Sequence, residues 1–194
     1  TRTAFSATTA GDGRFTISGV EPGTYTLVAY KAGFTRAVSN AGVAFTVEGD
    51  VNVTGATLTV SPLPPGQIAG NVKDTAGNPI AGATATFTSQ DKTVVKTAVT
   101  RDGSQPNQPA GSYFADNVPV TNYTATADGP LNDQSKPEYV KAPTPDAPYD
   151  TGVIVQANTT TQPVNFTLKP ILATISGRIF DTTVGDTAAV AATG

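Results

Sequence analysis

The sequence predicts an all-β protein made of antiparallel β-sandwiches in tandem, and three observations carry this prediction. The 194 residues include 19 glycines and 15 prolines, which punctuate turns, beside abundant threonine and valine, which suit pleated strands. Short stretches with a period of two follow one another at intervals of roughly 8–12 residues, with turn signals between them. Strong helix formers nowhere gather at a helical period.

The amino-acid composition argues against several classes of function. Charged residues make up 14 % of the chain and the net charge is -3, so the basic stripe of a nucleic-acid-binding protein is absent and we predict no nucleic-acid partner. The apolar runs are too short for a membrane span. Because the sequence has no His and no Cys, the usual zinc ligands, catalytic bases and disulfides are excluded. We therefore predict no cofactor and no enzymatic activity, while calcium on oxygen ligands stays open.

Length and residue choice also suggest a setting for the protein. A chain of 194 residues suits one or two domains of about 100 residues each. Low charge and the absence of oxidisable Cys and Met are typical of an extracellular or cell-surface protein. The chain begins at Thr1 without an initiator methionine or signal peptide, so we expect a mature or excised fragment.

The first predicted unit, residues 1–61, is organised around residues 11–34, GDGRFTISGVEPGTYTLVAYKAGF. Asp12-Gly13 is a tight-turn signal. Glu21-Pro22-Gly23 predicts a second turn, with the proline at its first corner and a positive φ at the glycine. Alternating strands are predicted around these turns, over residues 1–10, 14–20, 25–29, 43–47 and 51–60.

The second predicted unit, residues 68–170, follows a stiff proline-rich linker at residues 62–67. It opens with a strand from Ile68 and a turn at residues 75–79. Residues 113–127 then repeat the opening motif at an offset of 98 residues. The aligned pairs are Phe15 with Tyr113, Val20 with Val118 and Tyr25 with Tyr123. Residues 130–150 predict a loop or an extended edge.

The C-terminal residues 171–194 predict the opening strands of a further sandwich. Residues 175–181, ISGRIFD, repeat residues 68–74, IAGNVKD, at an offset of 107. The first unit lacks such an opening, so residues 171–194 of a neighbouring copy would complete residues 1–61. The predicted strand-donor residues are Ile175, Gly177, Ile179 and Asp181. Three alternatives stay open: a window of a tandem polyprotein, strand addition between separate subunits, or boundaries that fall within a domain.

The pattern I-x-G-x-V-x-D … G-x-P-I-x-G-A, followed by D-G-x-F-x-I-x-G-V-x-P-G-T-Y-T-L … G-F, resembles the carboxypeptidase regulatory-like domain. That family belongs with the transthyretin-like and Cna-B-type Ig-like β-sandwiches. Residues 11–34 and 68–87 carry the resemblance, and residues 175–181 carry it more weakly. The second unit departs from the pattern, with Val120-Thr121-Asn122 in place of Pro22-Gly23-Thr24. The resemblance implies tandem sandwiches on secreted and surface proteins, used as stalks, spacers, pilus subunits or carbohydrate-proximal accessories.

Two kinds of covalent modification are candidates. Four N-glycosylation sequons occur, at Asn52, Asn122, Asn158 and Asn165. The resemblance to the Cna-B type also implies a Lys–Asn isopeptide bond, for which Lys73 and Asn165 lie on the first and last strands of the second unit. Ile68, Gly70 and Val72 form the inward-facing set of that first strand, so Lys73 is expected to point outward.

The remaining polar and aromatic signals favour structural roles. Tyr25 and Tyr123 predict core contacts of the tyrosine-corner kind, with a ligand-stacking platform at Tyr139 and Tyr149 as the alternative. Aspartates beside the turns are expected to accept hydrogen bonds from turn amides. These aspartates are Asp12, Asp50, Asp74, Asp102 and Asp181.

The sequence therefore predicts a structural repeat of an extracellular filament, stalk or pilus-like fibre. It would assemble head to tail by β-strand complementation or as a tandem polyprotein, with copies of itself as partners. The alternative is an adhesin or carbohydrate-proximal binding module that uses residues 130–150, with surface glycans or other surface proteins as partners.

Overall fold

The computed structural model describes residues 5–38, 44–49, 53–132, 134–141, 152–161 and 163–177. Within these ranges there are strands, turns and loops but no helix, which confirms the all-β prediction. The strands in chain order are β1 (Gly23–Tyr25), β2 (Val28–Ala29), β3 (Ala37–Val38), β4 (Phe45–Val47), β5 (Gly66–Asp74), β6 (Thr84–Ser89), β7 (Val95–Val99), β8 (Ser112–Val118), β9 (Asn122–Asp128), β10 (Tyr139–Lys141), β11 (Val153–Ile154), β12 (Thr160–Thr161) and β13 (Phe166–Pro170).

Strands β5–β13 form a two-layer sandwich. One sheet has the order β10-β13-β5-β12, with β8 also paired to β5, and the other has the order β11-β9-β6-β7. Strand β5 is the centre of the first sheet: β8 runs antiparallel to it, whereas β12 and β13 run parallel to it. All other described pairings are antiparallel. The first strand of this unit, β5, therefore pairs with three other strands, whereas the alternation of its side chains indicates only which of its faces is buried.

The core lies between these two sheets and follows the period of two. Ile68 and Val72 of β5 are fully buried, as are Ala85 and Phe87 of β6, because successive side chains point to opposite faces of a pleated strand. The Tyr113 ring contacts Phe87 and Phe166, with ring centroids 6.0 and 6.2 Å apart. Every described member of this buried cluster lies between residues 68 and 168. The inward set predicted for the second unit is confirmed.

Residues 5–60, called here the N-terminal segment, form much less regular structure. In its described part, β1 pairs with β4 and β2 pairs with β3. The strand predictions for residues 14–20 and 51–60 are wrong where the structure describes them, and residues 5–10 form no strand either. The alternation of apolar residues is present, but a strand also needs a neighbouring main chain to accept and donate its hydrogen bonds.

The two predicted turns of this segment have different outcomes. The turn at Asp12-Gly13 is confirmed: Gly13 N donates to Ala10 O at 2.9 Å, and Arg14 N donates to Asp12 Oδ1 at 3.0 Å. The second turn is placed differently, because the positive φ of 69° is at Gly19 and Gly23 already belongs to β1.

A tyrosine corner recurs at the offset that the repeat predicts. Tyr25 Oη donates to Glu21 O at 2.8 Å, and Tyr123 Oη donates to Pro119 O at 2.8 Å. Both bonds span four residues, and their positions differ by the same 98 residues in the sequence. The burial differs, since Tyr123 is fully buried and Tyr25 only half-buried. The N-terminal segment therefore repeats the local geometry of the sandwich, but its tyrosine is less buried.

The buried tyrosines predict a specific response to alkaline pH. Burial raises the pKa of Tyr113 well above its ordinary value, and burial with the nearby Tyr30 and Asp91 raises the pKa of Tyr123 to about 12. Because both folded-state values exceed the unfolded value of about 10, their contribution to stability is complete below that pH and is lost as pH rises toward 12. Part of the phenolate absorbance change should therefore appear only where the circular dichroism of the sandwich disappears. Tyr123→Phe should shrink that late part, and one early step with an intact β signal would contradict the prediction.

Candidate functional site

The chain leaves the sandwich after β13 through residues 171–177, called here the C-terminal segment. Ile171 N donates to Glu138 O at 2.8 Å, and beyond this bond the segment has no regular secondary structure. Its apolar side chains are uncovered: Ile171 is 50 %, Leu172 85 % and Ile175 96 % exposed. Burial of such a side chain stabilises by roughly 1.5–3 kcal/mol, so a contiguous exposed set is a candidate contact surface. Ile179 and Asp181, the other predicted donor residues, lie outside the described residues.

Gly70 of β5 and Gly177 of the C-terminal segment occupy matched sequence positions in opposite surroundings. A Cβ on Gly70 would lie 1.8 Å from the Val164 carbonyl oxygen and 2.7 Å from Tyr113 Oη. A Cβ on Gly177 would meet no atom within 4 Å. Close packing therefore requires glycine at position 70. Gly177 repeats this glycine in the sequence, but nothing in the described chain packs against Gly177.

The described part of the N-terminal segment contains no counterpart of β5. Residues 14–20 align with β8 at an offset of 98, and residues 57–62, TLTVSP, align with residues 165–170, NFTLKP, at an offset of 108. Strands β8 and β13 are two of the strands that pair with β5. In the N-terminal segment neither aligned stretch forms a strand, apart from a bridge between Pro62 and Phe34. The stretches that stay irregular are therefore those whose counterparts depend on β5.

Side-chain burial shows the same deficit. The apolar residues of the N-terminal segment alternate as in the sandwich but are only half-buried, whereas the aligned residues of β8 and β9 are buried. The half-buried set is Phe15, Ile17, Val20, Tyr25, Leu27 and Ala29, and the aligned buried set is Tyr113, Ala115, Val118, Tyr123, Ala125 and Ala127. A second layer covers the latter set, and no described element covers the former to that degree.

A loop of the N-terminal segment, residues 30–35, contacts the sandwich. Gly33 N donates to Val120 O at 3.0 Å, and the carbonyl of Gly33 accepts from Leu63 N at 2.8 Å. The hydroxyls of Tyr30 and Thr121 are hydrogen-bonded to each other. Burial, with a smaller contribution from Asp91, raises the pKa of Tyr30. The sequence offered no signal for this contact beyond Gly33, the last glycine of the opening motif, which has a positive φ of 78°.

The predicted modification sites lie on the surface where they are described. Asn122, Asn158 and Asn165 are exposed, and Asn52 lies outside the described residues. Asn165 Oδ1 accepts a hydrogen bond from Asn71 N at 3.0 Å. Lys73 is exposed and lies opposite Thr167 in the register of β5 and β13, two residues along from Asn165. Glycosylation and the isopeptide bond both stay predictions.

The described turn aspartates hold turns, as expected. Asp74 Oδ1 accepts from Ala76 N and Asn78 N at 2.8 Å, and its pKa is lowered chiefly by the Asn78 side chain. Asp102 Oδ1 likewise accepts from Ser104 N at 2.9 Å, which lowers the pKa of Asp102. Asp50 and Asp181 lie outside the described residues.

Other site chemistries find little support in the described part of the chain. It contains no group of three or more acidic, His or Cys side chains placed to hold a metal ion. No described helix is long and apolar enough to cross a membrane. Tyr139 is half-buried and packs against the core and over Gly129, and Tyr149 lies outside the described residues, so the stacking platform stays a prediction.

Comparisons with known proteins add the following findings. Residues 2–60 match a family model described as domain II of polysaccharide lyase family 4. No curated protein matches the chain in sequence. Since the matched family model is not that of the carboxypeptidase regulatory-like domain, the resemblance to that family stays a prediction.

Two solved structures are similar to the chain. One is the TIE protein of Bacillus anthracis, with 11 % identity and a TM-score of 0.38 over 84 % of this chain and 31 % of that protein. The other is the shaft pilin spaA of Lactobacillus rhamnosus GG, with 11 % identity and a TM-score of 0.28 over 87 % of this chain and 68 % of that one. The chain thus spans about a third of the length of the Bacillus protein.

Proposed function

We propose that this chain is a structural repeat of an extracellular filament, stalk or pilus-like fibre whose units join head to tail. One observation supports the proposal: the C-terminal segment and the N-terminal segment complement each other. Within the described part of the chain, neither has the strand partners that its counterpart has in the sandwich. The C-terminal segment repeats the start of β5 and exposes its apolar residues. The N-terminal segment has counterparts of β8 and β9 but no described counterpart of β5.

Insertion of residues 171–194 of one copy into the N-terminal segment of the next would satisfy both. In the sandwich, β5 supplies main-chain partners to β8 on one side and to β12 and β13 on the other, and it buries Ile68 and Val72. A donated strand would do the same for residues 14–20 and 57–62, which is strand addition. A head-to-tail contact of this kind generates a filament when its rotation does not close.

The division of the chain follows from this proposal. Residues 1–61 are the acceptor unit, 62–67 the linker, 68–170 the complete sandwich and 171–194 the donor. Gly33 ties the acceptor unit to the sandwich through Val120 and to the linker through Leu63. These hydrogen bonds would help the two units of a fibre to keep their relative positions under mechanical force. The same pairing would join successive units of a tandem polyprotein.

Assembly of the purified full chain tests the proposal. We expect linear oligomers that grow with concentration, seen by light scattering and electron microscopy. Removal of residues 171–194, or Ile175→Asp, should leave monomers whose sandwich melts as before, because the described buried core lies within residues 68–168. Leu131→Asp is the matched control, since Leu131 is also a largely exposed apolar residue but lies in a loop of the sandwich. A full chain that stays monomeric at every concentration would contradict strand exchange between subunits.

A carbohydrate-proximal or adhesin module is the second candidate. The family model that matches residues 2–60 is described as a domain of a polysaccharide lyase, and this supports the candidate. A monomeric chain with an intact C-terminal segment, slowed in a native gel that contains a soluble polysaccharide, would favour this candidate over the filament.

A further inference from the structure

We infer the register of the donated strand: Ser176 of one copy lies opposite Thr16 of the next, on a strand that runs antiparallel to residues 14–20. This inference rests on the proposed head-to-tail assembly and deepens it. In the sandwich, Ala69 of β5 lies opposite Phe114 of β8, and Gly70 lies opposite Tyr113. The two sequence offsets carry these pairs to Ser176 with Thr16 and to Gly177 with Phe15.

The apolar pattern restricts the possible registers. Ile68 lies opposite Ala115, and both are buried in the core of the sandwich. The matched pair, Ile175 and Ile17, would face the uncovered apolar side of the N-terminal segment. A slip of one residue would turn Ile175 to the solvent side, because side chains alternate between the two faces. The hydrophobic pattern alone still allows slips of two residues.

Gly177 excludes the slips of two residues. In the sandwich only glycine fits at position 70, because the Val164 carbonyl and Tyr113 Oη occupy the space of a side chain. The aligned residues in the N-terminal segment are Ala56, at the position of Val164, and Phe15, at the position of Tyr113. Phe15 lacks the hydroxyl of Tyr113, so in the assembled pair the main chain of Ala56 would form this constriction. A slip of two residues would bring Ile175 or, in the other direction, Ile179 into this constriction. The glycine therefore selects one register among those with the correct face inward.

Single-cysteine cross-linking tests the register, since the natural chain has no Cys. Thr16→Cys and Ser176→Cys are made as separate full-length chains, one with a mass tag, and are mixed under mild oxidation. Thr16 and Ser176 are exposed in the chain described here. Directly opposite residues have Cβ atoms about 4.5–5.5 Å apart, near the span of a disulfide, whereas diagonal neighbours are about 7–8 Å apart.

The matched control is Ser18→Cys mixed with the same Ser176→Cys chain, because Ser18 is exposed and shares the face of Thr16. We expect the mixed dimer with Thr16→Cys to exceed that with Ser18→Cys by about tenfold. Oligomers that cross-link through Ser18, or through neither position, would overturn the register and leave the filament proposal intact. Mixtures that stay monomeric and uncross-linked would overturn both the register and the proposed strand exchange between subunits.

Discussion

Replacement of Gly70 by alanine is expected to unfold the sandwich. The added Cβ would lie 1.8 Å from the Val164 carbonyl oxygen and 2.6 Å from its carbonyl carbon. These are main-chain atoms, and Val164 N donates to Ala69 O at 3.0 Å, so the two chains cannot separate without breaking the junction of β5 with the approach to β13. We expect a loss of more than about 4 kcal/mol in the free energy of unfolding, a large part of the roughly 5–15 kcal/mol typical of a domain.

Urea denaturation followed by circular dichroism measures this effect. Gly152→Ala is the matched control, because a Cβ there meets no atom within 4 Å and its φ is not in the left-handed region. Gly177→Ala should be equally neutral in the unassembled chain, although it repeats the Gly70 position. A Gly70→Ala chain within about 1 kcal/mol of the natural one would show that β5 and the Val164 main chain are not in close contact.

Replacement of Phe87 by alanine is expected to cost about 3–5 kcal/mol in the free energy of unfolding. Phe87 is fully buried on β6, between β7 and β9, and its ring contacts Tyr113 of the opposite sheet. Removing the ring loses its transfer free energy and leaves a cavity that the two sheets fill only in part.

Phe114→Ala is the control for this prediction. Phe114 is 41 % exposed on the outer face of β8, next to the buried Tyr113. We expect its loss to cost about 1 kcal/mol or less. Both variants should be compared by urea midpoint at concentrations where the chain is monomeric, with the slope of the transition unchanged. Equal costs for Phe87 and Phe114 would mean that the two faces of the sheet are not distinguished as described.

The sandwich could be predicted from the sequence because its signals are local. In β5 and β6 the period of two marks Ile68, Val72 and Phe87 as inward, and turn residues such as Asp74 separate the strands. The tyrosine corners could be predicted in the same way, since Tyr25 and Tyr123 each bond to a carbonyl four residues earlier. A hydrogen bond between residues only four positions apart depends little on the rest of the fold.

The candidate site was predictable only in part. The repeat of residues 68–74 at 175–181 marks the C-terminal segment and nominates Ile175 and Gly177. The strands predicted at residues 14–20 and 51–60 did not form where described, because the alternation of Phe15 and Ile17 specifies a face but cannot supply a partner strand. The sequence marked Gly33 but not its partner Val120, since the two residues lie far apart in the chain.

Residue patterns alone indicate which stretches can form strands, mark most of their turns, and show that the motif of β5 recurs near the C-terminus. The three-dimensional structure is needed to show which of those strands form and that β5 lies beside β8, β12 and β13. It also shows that Val164 leaves no room for a side chain at Gly70, whereas no described atom lies near Gly177. The physical reason is that side-chain alternation belongs to one strand, whereas hydrogen-bond partners and close packing belong to pairs of strands distant in sequence.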